Sequence, residues 1–506
     1  MIIKKASKSN LNALCCLREK FLIETARKEK VKTSRNNIMI YLSRDYSRYY
    51  IAYENNIPLG YIHGTIDPKP QKLIQAFVQE IYVKKGFRKR GIASKLIQKL
   101  DRHFKKNKKR PGLNVDKDNK SAINFYKKHD YAILSQEKNI IHMIKKLNVL
   151  LIYPPFCTPA APPYSIASMH SFLINNSKNK INAIDLNIFF HKSAYPEYKR
   201  FFRNFKDMES YKLKSDEFIL KTRQDYKRNN QNVLDGNKID LLEKSIKEIL
   251  KHEPDIVAFS IVYNSQVFYA KAIIDELKKK GIKTIVGGPC SNDKINADAR
   301  LKNEIELLEF IEGTKISHDN INFSTIPDFS IYSLKDYFSS AIVYPLRTSY
   351  SCFYGQCAFC THHGNSNYAE IDLKLFENTL IKNKSKYAFL IDDMIPTERL
   401  VKISKIMKSL NVKWMCQLKP SKDLTKKILQ ELNDSGLKAV IWGVESASSK
   451  VLKLMKKGIT KEVADKVLKD SHSAGIKNVV YIMFGFPTET KVEFKETIEF
   501  LEKNKD

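Results

Sequence analysis

The sequence predicts a multidomain protein of mixed α/β and α+β class, built from three strand-and-helix segments in succession. Three observations predict it. At 506 residues the chain is too long for one ordinary hydrophobic core. Strands alternate with helices through its second half, the pattern of parallel sheets. Two short loops concentrate chemistry-bearing residues, a basic glycine turn in the first segment and a cysteine cluster in the last.

Composition narrows the function classes. No apolar run approaches the roughly 18 residues that span a membrane, and the start Met-Ile-Ile-Lys-Lys-Ala lacks the apolar core of a signal peptide. Eight cysteines in so long a chain argue against a disulfide framework. A cytoplasmic protein with no membrane partner is expected. The formal charge of +33 allows an RNA-binding surface. Lysines spread evenly, without an Arg-rich arm or stacking-aromatic motif, read instead as solvated faces.

The first segment, 1–147, opens with a strand at 1–5 and a helix from Ser9 or Asn10 that sets Leu11, Leu14, Leu17 and Phe21 on one face. Strands at 50–53 and 59–65 make a hairpin turning at Asn55-Asn56. A strand at 77–83 leads into Arg88-Lys-Arg-Gly-Ile-Ala93, which opens a helix over 94–104. A basic, glycine-containing turn before a helix is a phosphate cradle, because unpaired amides of the first turn and the helix dipole both face the anion. Gly91 allows close backbone approach, and small Ala93 keeps the floor low. A fifth strand at 113–116 precedes Asn119-Lys-Ser-Ala-Ile-Asn-Phe-Tyr126.

These two motifs resemble the GCN5-related N-acetyltransferases (GNAT), and the resemblance covers the whole segment. It implies that Val83, Arg88, Lys89, Arg90, Gly91, Ile92, Ala93 and Asn119 bind acetyl-coenzyme A. It also implies that Tyr126 protonates the leaving thiolate, while Glu80 is the candidate base for an acceptor amine. The alternatives are a core aromatic at Tyr126, a surface carboxylate at Glu80 and a ligand-free basic helix start. The family's closing Gly-Phe is replaced here by His129-Asp130-Tyr131.

The second segment, 148–300, has the apolar strand Asn148-Val-Leu-Leu-Ile-Tyr-Pro-Pro155, then strands at 181–185, 255–260 and 284–289. A helix fills 265–280, and a long polar insertion with helical character spans 195–251. This is a doubly wound parallel sheet, whose ligands bind beyond the C-terminal strand ends, where Ser260, Gly287 and Gly288 fall. The pattern resembles the cobalamin-binding domain that precedes many radical S-adenosylmethionine (SAM) cores. The resemblance implies cobalamin at those residues, although the cobalt-ligating Asp-x-His-x-x-Gly motif is absent. An empty structural domain is the alternative.

After a connector at 301–340, the last segment, 341–506, begins with a strand at 344–349 and the run Tyr350-Ser-Cys-Phe-Tyr-Gly-Gln-Cys-Ala-Phe-Cys360. Cys352, Cys357 and Cys360 are three thiols without a fourth ligand at zinc-finger spacing, which suits an iron–sulfur cluster with one open iron. Three core thiols or a zinc knuckle are the alternatives. Strands at 388–391, 412–417, 439–443 and 478–484 alternate with helices in a β/α barrel register. The segment resembles the radical SAM enzymes, with Cys-x4-Cys-x2-Cys in place of the usual Cys-x3-Cys-x2-Cys. The resemblance implies a [4Fe–4S] cluster on the three cysteines and SAM at Phe359, Gly443, Glu445, Ser446 and Gly485. It also implies a 5′-deoxyadenosyl radical and an electron donor such as a flavodoxin or ferredoxin. Asp392 and Asp393 are strand-end caps or site residues, and His362 and His363 follow the cluster loop.

Together these readings give a bifunctional enzyme acting on a peptide or small molecule in natural-product maturation. Two alternatives stand beside it: a tRNA-modifying enzyme resembling the elongator catalytic subunit, and a non-catalytic assembly protein with degenerate sites. Five barrel strands are counted where the family usually has six, which leaves two alternatives: a partner subunit completes the barrel, or the shortened radical site is compromised while the acetyltransferase stays intact.

Overall fold

The computed structural model describes residues 1–25, 34–67, 74–361 and 367–505. Its contacts divide the chain into two compact units. The first is Met1–Leu147 with Lys178–Lys180 and Glu309–Ile316, and the second is the remainder.

The first unit is a seven-stranded sheet of β1 (Ile2–Lys5), β2 (Ser47–Glu54), β3 (Ile57–Ile66), β4 (Ala76–Val83), β5 (Pro111–Asp116), β6 (Tyr131–Glu137) and β7 (Ile140–Lys145), in the order β1-β2-β3-β4-β5-β7-β6. Asn55 and Asn56 both take positive φ, 48° and 61°, as a two-residue hairpin turn needs to match strand twist. Helix Leu11–Glu24 buries Leu14 and Leu17 against one face of the sheet. Helix Ile92–Lys106 buries Leu96, Ile97, Leu100 and Phe104 against the other. Burial of each such side chain contributes about 1.5–3 kcal/mol, and two separate cores sandwich the sheet.

β4 and β5 are parallel, yet they pair only at Ala76 with Pro111 and Phe77 with Gly112. Beyond Phe77 the two strands no longer pair.

The second unit contains two sheets. One comprises β8 (Asn148–Tyr153), β9 (Lys180–Asp185), β10 (Ile256–Ser260), β11 (Lys283–Gly287) and β12 (Ala299–Arg300), in the order β12-β11-β10-β8-β9. β10 is parallel to both β8 and β11. The polar insertion is helical, as its pattern predicts, with helices Pro196–Arg203, Met208–Leu234 and Leu242–Leu250. The other sheet is five parallel strands, β13 (Tyr344–Leu346), β16 (Tyr387–Leu390), β17 (Lys413–Leu418), β18 (Leu437–Glu445) and β19 (Lys477–Ile482), in that order. The strand expected at 344–349 is broken. Tyr344–Leu346 stays in the barrel sheet, while β14 (Ser349–Tyr350) turns aside to pair antiparallel with β15 (Ala369–Glu370). Among the described residues no helix is long and apolar enough to cross a membrane.

Candidate functional sites

The break after Leu346 is imposed by Asp392, buried at the end of β16. Its carboxylate accepts from the Thr348 amide at 2.9 Å, the Thr348 hydroxyl at 3.0 Å and the Ser349 hydroxyl at 2.7 Å. Burial raises its pKa, and these donors oppose that shift. Arg399 braces the same turn, donating to Glu370 at 2.6 Å and to the carbonyls of Thr348 and Ile371. Asp392 is therefore a strand-end clamp that aims the cysteine loop.

That loop docks on the turn after helix Ser449–Leu454. The Ala358 amide donates to the Met455 carbonyl at 2.9 Å, and the Tyr354 hydroxyl donates to the Lys456 carbonyl at 2.7 Å. Cys352, Cys357 and Cys360 are all half-buried and unbridged. Burial pushes the Cys357 thiol up, and the ammonium groups of Lys457 and Lys419 pull it back. Lys419 sits 3.2 Å over the Tyr354 ring and donates to the Lys457 carbonyl. Lys457 lies 5.6 Å from the Phe359 ring centroid and pairs with Glu445 at 3.0 Å. Among the described residues no three His, Cys, Asp or Glu side chains converge as a single-ion site requires. What fits a cluster is the donor chemistry: three thiols on one loop beside two cations that offset thiolate charge. His362 and His363 lie outside the described residues.

The other residues expected at SAM divide in two. Glu445 sits at the β18 bulge with φ +68° and is held by Lys457. A Cβ on Gly443 would stand 3.0 Å from both partners of that pair, so Gly443 makes room for it. Ser446, by contrast, is fully buried, bonded to Thr497 of helix Lys491–Lys503 and to the Ser448 amide. It packs against that helix. Gly485 is exposed at φ +74°, its amide taken by Glu489.

A cleft of about 2230 Å³ joins the C-terminal ends of β8, β10 and β11 to barrel residues including Leu346, Phe389, Ile391 and Gln417. That is more than twice the upper volume of ordinary small-ligand pockets, about 1,000 Å³. Ser260, Gly287 and Gly288 all line it. Gly288 also has a reason independent of any ligand. It takes φ +99°, and a Cβ there would meet the Ile261 carbonyl oxygen at 2.5 Å.

In the first unit, Gly91 caps helix Ile92–Lys106 at φ +76°, and a Cβ there would meet nothing within 4 Å. The cradle is open, with the Ile92 and Ala93 amides in the first helical turn behind it and Lys89 at φ +62° before it. It stands at the end of β4, beyond the residues that pair with β5. Its two arginines depart from expectation. Arg88 is drawn to Glu24 and to the Val83 carbonyl, and Arg90 to Glu54 at 3.0 Å. The expected base Glu80 is ion-paired, accepting from Arg18 at 2.7 and 2.8 Å and from the Tyr61 hydroxyl at 2.8 Å. Tyr126 is buried in the core among Phe125 and Tyr131, where burial and Asp101 push its phenol well above the ordinary range. Asn119 spends its side-chain oxygen capping helix Lys120–Lys128 through the Ala122 amide at 3.0 Å.

Two family models match the chain, the Acetyltransferase (GNAT) family over residues 13–131 and the Radical SAM superfamily over residues 346–501. The chain carries a GNAT domain followed by a radical SAM domain. An uncharacterized methyltransferase of Pyrococcus horikoshii is 22% identical over 54% of this chain and 69% of its own length. The bacteriochlorophyllide d C-12(1)-methyltransferase of Chlorobaculum tepidum is 27% identical over 32% of this chain. This chain spans 38% of that second protein. Among solved structures, the apo form of OxsB, a cobalamin-dependent SAM radical enzyme, is 14% identical with a TM-score of 0.50. That match covers 98% of this chain and 67% of OxsB, a likeness of fold over nearly the whole length.

Sequence reasoning missed several residues of both domains. In the radical SAM domain Lys419 and Lys457 are invisible among 88 Lys and Arg, because only folding brings them to the cysteines. In the GNAT domain Arg18 reaches Glu80 from a helix 62 positions away, with no local signal for the pairing.

Proposed function

We propose that this chain is a two-activity enzyme: an acetyl-coenzyme A-dependent N-acyltransferase joined to a radical SAM enzyme that methylates its substrate with cobalamin. A peptide or other natural product is the proposed substrate class. The observation that carries the reading is the large cleft running from the α/β strand ends into the barrel, with the cysteine loop beginning at its wall residue Tyr350. The curated relatives are named as methyltransferases, and the name of OxsB states cobalamin dependence. The relatives' names support methyl transfer, and the OxsB name supports cobalamin as a cofactor.

In this reading Cys352, Cys357 and Cys360 hold the cluster, and Lys419 and Lys457 offset its thiolate charge. Phe359 and the docked Tyr354 shield one side of the loop from water. Ser260, Gly287 and Gly288, which line the cleft, would hold cobalamin. When bound, the cluster with SAM supplies hydrogen-abstracting radical chemistry, cobalamin supplies a methyl carrier, and acetyl-coenzyme A supplies the acyl group. In the GNAT domain the cradle amides grip the cofactor's phosphates. Arg88 and Arg90 exchange their exposed carboxylate partners for phosphate, since such surface pairs are worth only about 0–1 kcal/mol. Tyr126 keeps its proton at neutral pH and acts as the acid. Glu80 can accept a proton only from an amine that displaces Arg18, so its first role is to position that amine.

The test is anaerobic reconstitution of the full chain with iron and sulfide, followed by SAM and a reductant. Release of 5′-deoxyadenosine, together with acetyl-coenzyme A binding in calorimetry, is expected. Iron-loaded protein that leaves SAM intact would overturn the radical half of the proposal, and absence of binding heat would overturn the acetyl half.

A further inference from the structure

Arg347 follows β13 and stands five residues before Cys352, on the wall of the large cleft. It is half-buried, and its guanidinium lies near two aromatic rings, 5.9 Å from the Tyr164 centroid and 5.7 Å from the Tyr350 centroid. Among the described residues it has neither a hydrogen bond nor an ion pair. The contrast with Arg399, in the same stretch of structure, is instructive. Arg399 donates through both terminal nitrogens, to Glu370 and to the carbonyls of Thr348 and Ile371. Glu370, an acid of the cleft wall, is thereby taken and does not neutralise Arg347.

A guanidinium carries five donors in a fixed plane. Aromatic rings satisfy its faces and immobilise it, but they leave the donor edge unsatisfied. A half-buried cation held this way, facing a cleft, is preorganised for a bidentate oxyanion. We propose that Arg347 recognises a carboxylate or phosphate group of a molecule bound in the cleft. Three molecules offer that chemistry: the reacting substrate, the carboxylate of SAM, and the phosphate in the nucleotide loop of cobalamin. The inference rests on the functional reading above only in treating the cleft as a binding site.

The test uses the full-length protein and needs no turnover, so it can succeed or fail whether or not SAM is ever cleaved. Arg347 is labelled with phenylglyoxal, and labelling is followed by peptide mass with inorganic phosphate, succinate or chloride at equal ionic strength. Protection by phosphate or succinate, and none by chloride, is expected. Arg347→Gln is then titrated with SAM, hydroxocobalamin and cobinamide, which lacks the phosphate. Loss of one bidentate charge-assisted contact should weaken the relevant ligand roughly tenfold or more, with Arg347→Lys intermediate. Weakening for SAM alone assigns the oxyanion to its carboxylate. Weakening for hydroxocobalamin but not cobinamide assigns it to the cobalamin phosphate. Unchanged affinity for all three, with protection intact in the wild type, assigns it to the substrate. Labelling indifferent to phosphate and succinate would overturn the proposal and leave Arg347 as packing beside Tyr164 and Tyr350, and that readout does not depend on how a variant folds.

Discussion

Replacing Lys457 with Met should destabilise the barrel without touching a cysteine. Lys457 and Glu445 meet at 3.0 Å with side chains only 9% and 12% exposed. At an effective dielectric of about 20 such a pair attracts by on the order of 5 kcal/mol, much of it offset by lost hydration. Lys457→Met leaves Glu445 buried without its partner, and breaking a buried pair from one side typically costs about 3–5 kcal/mol. The Lys457→Met/Glu445→Gln double variant removes both charges and should recover most of that loss. The assay is urea denaturation followed by tryptophan fluorescence. The chain has two tryptophans, Trp414 and Trp442, both fully buried in the barrel sheet, so the signal reports that sheet selectively. A single-variant loss below about 1 kcal/mol, the range of exposed pairs, would refute the buried-pair argument. So would a double variant no more stable than the single.

Two further outcomes test the GNAT domain. His63 is buried, stacked on Tyr49 at 3.9 Å and bonded to the Ser47 hydroxyl at 3.0 Å; burial, then the Arg18 charge, lowers its pKa from 6.5 to about 3. The unfolded chain therefore takes up this proton first, so His63 costs stability as pH falls from about 6.5 toward 3 and costs nothing above. His63→Phe should flatten the acid limb of stability relative to wild type over that window, and identical pH profiles would contradict this. Gly91→Glu projects a carboxylate into open space at the cradle, so it should abolish acetyl-coenzyme A binding in calorimetry while the left-handed backbone costs on the order of 1 kcal/mol of stability. Unchanged affinity would remove the cradle from the account.

What could be read in the sequence was local. The Asn55-Asn56 turn, the Gly91 helix start and the cysteine loop are each written in consecutive residues, and the structure contains each turn, helix and loop. The apolar runs likewise predict parallel strands correctly, because buried strands need continuous hydrophobes. What could not be read depends on distant chain segments meeting. Arg88 and Arg90 look free in sequence, and only the fold supplies Glu24 and Glu54 to them. Ser446 shares a motif with Glu445, yet the strand ends between them at a residue of positive φ, and one meets Lys457 while the other meets Thr497. Arg347 carries no motif at all. One of the two rings beside it belongs to Tyr164, which lies 183 positions earlier.

The central claim is that Cys352, Cys357 and Cys360 hold an iron–sulfur cluster, and iron analysis tests it most directly. After anaerobic reconstitution, the wild-type chain should carry about four irons, with the brown absorbance of a [4Fe–4S] centre. The triple variant with Ala at all three positions should carry none. Iron bound at wild-type stoichiometry in the triple variant would contradict the account.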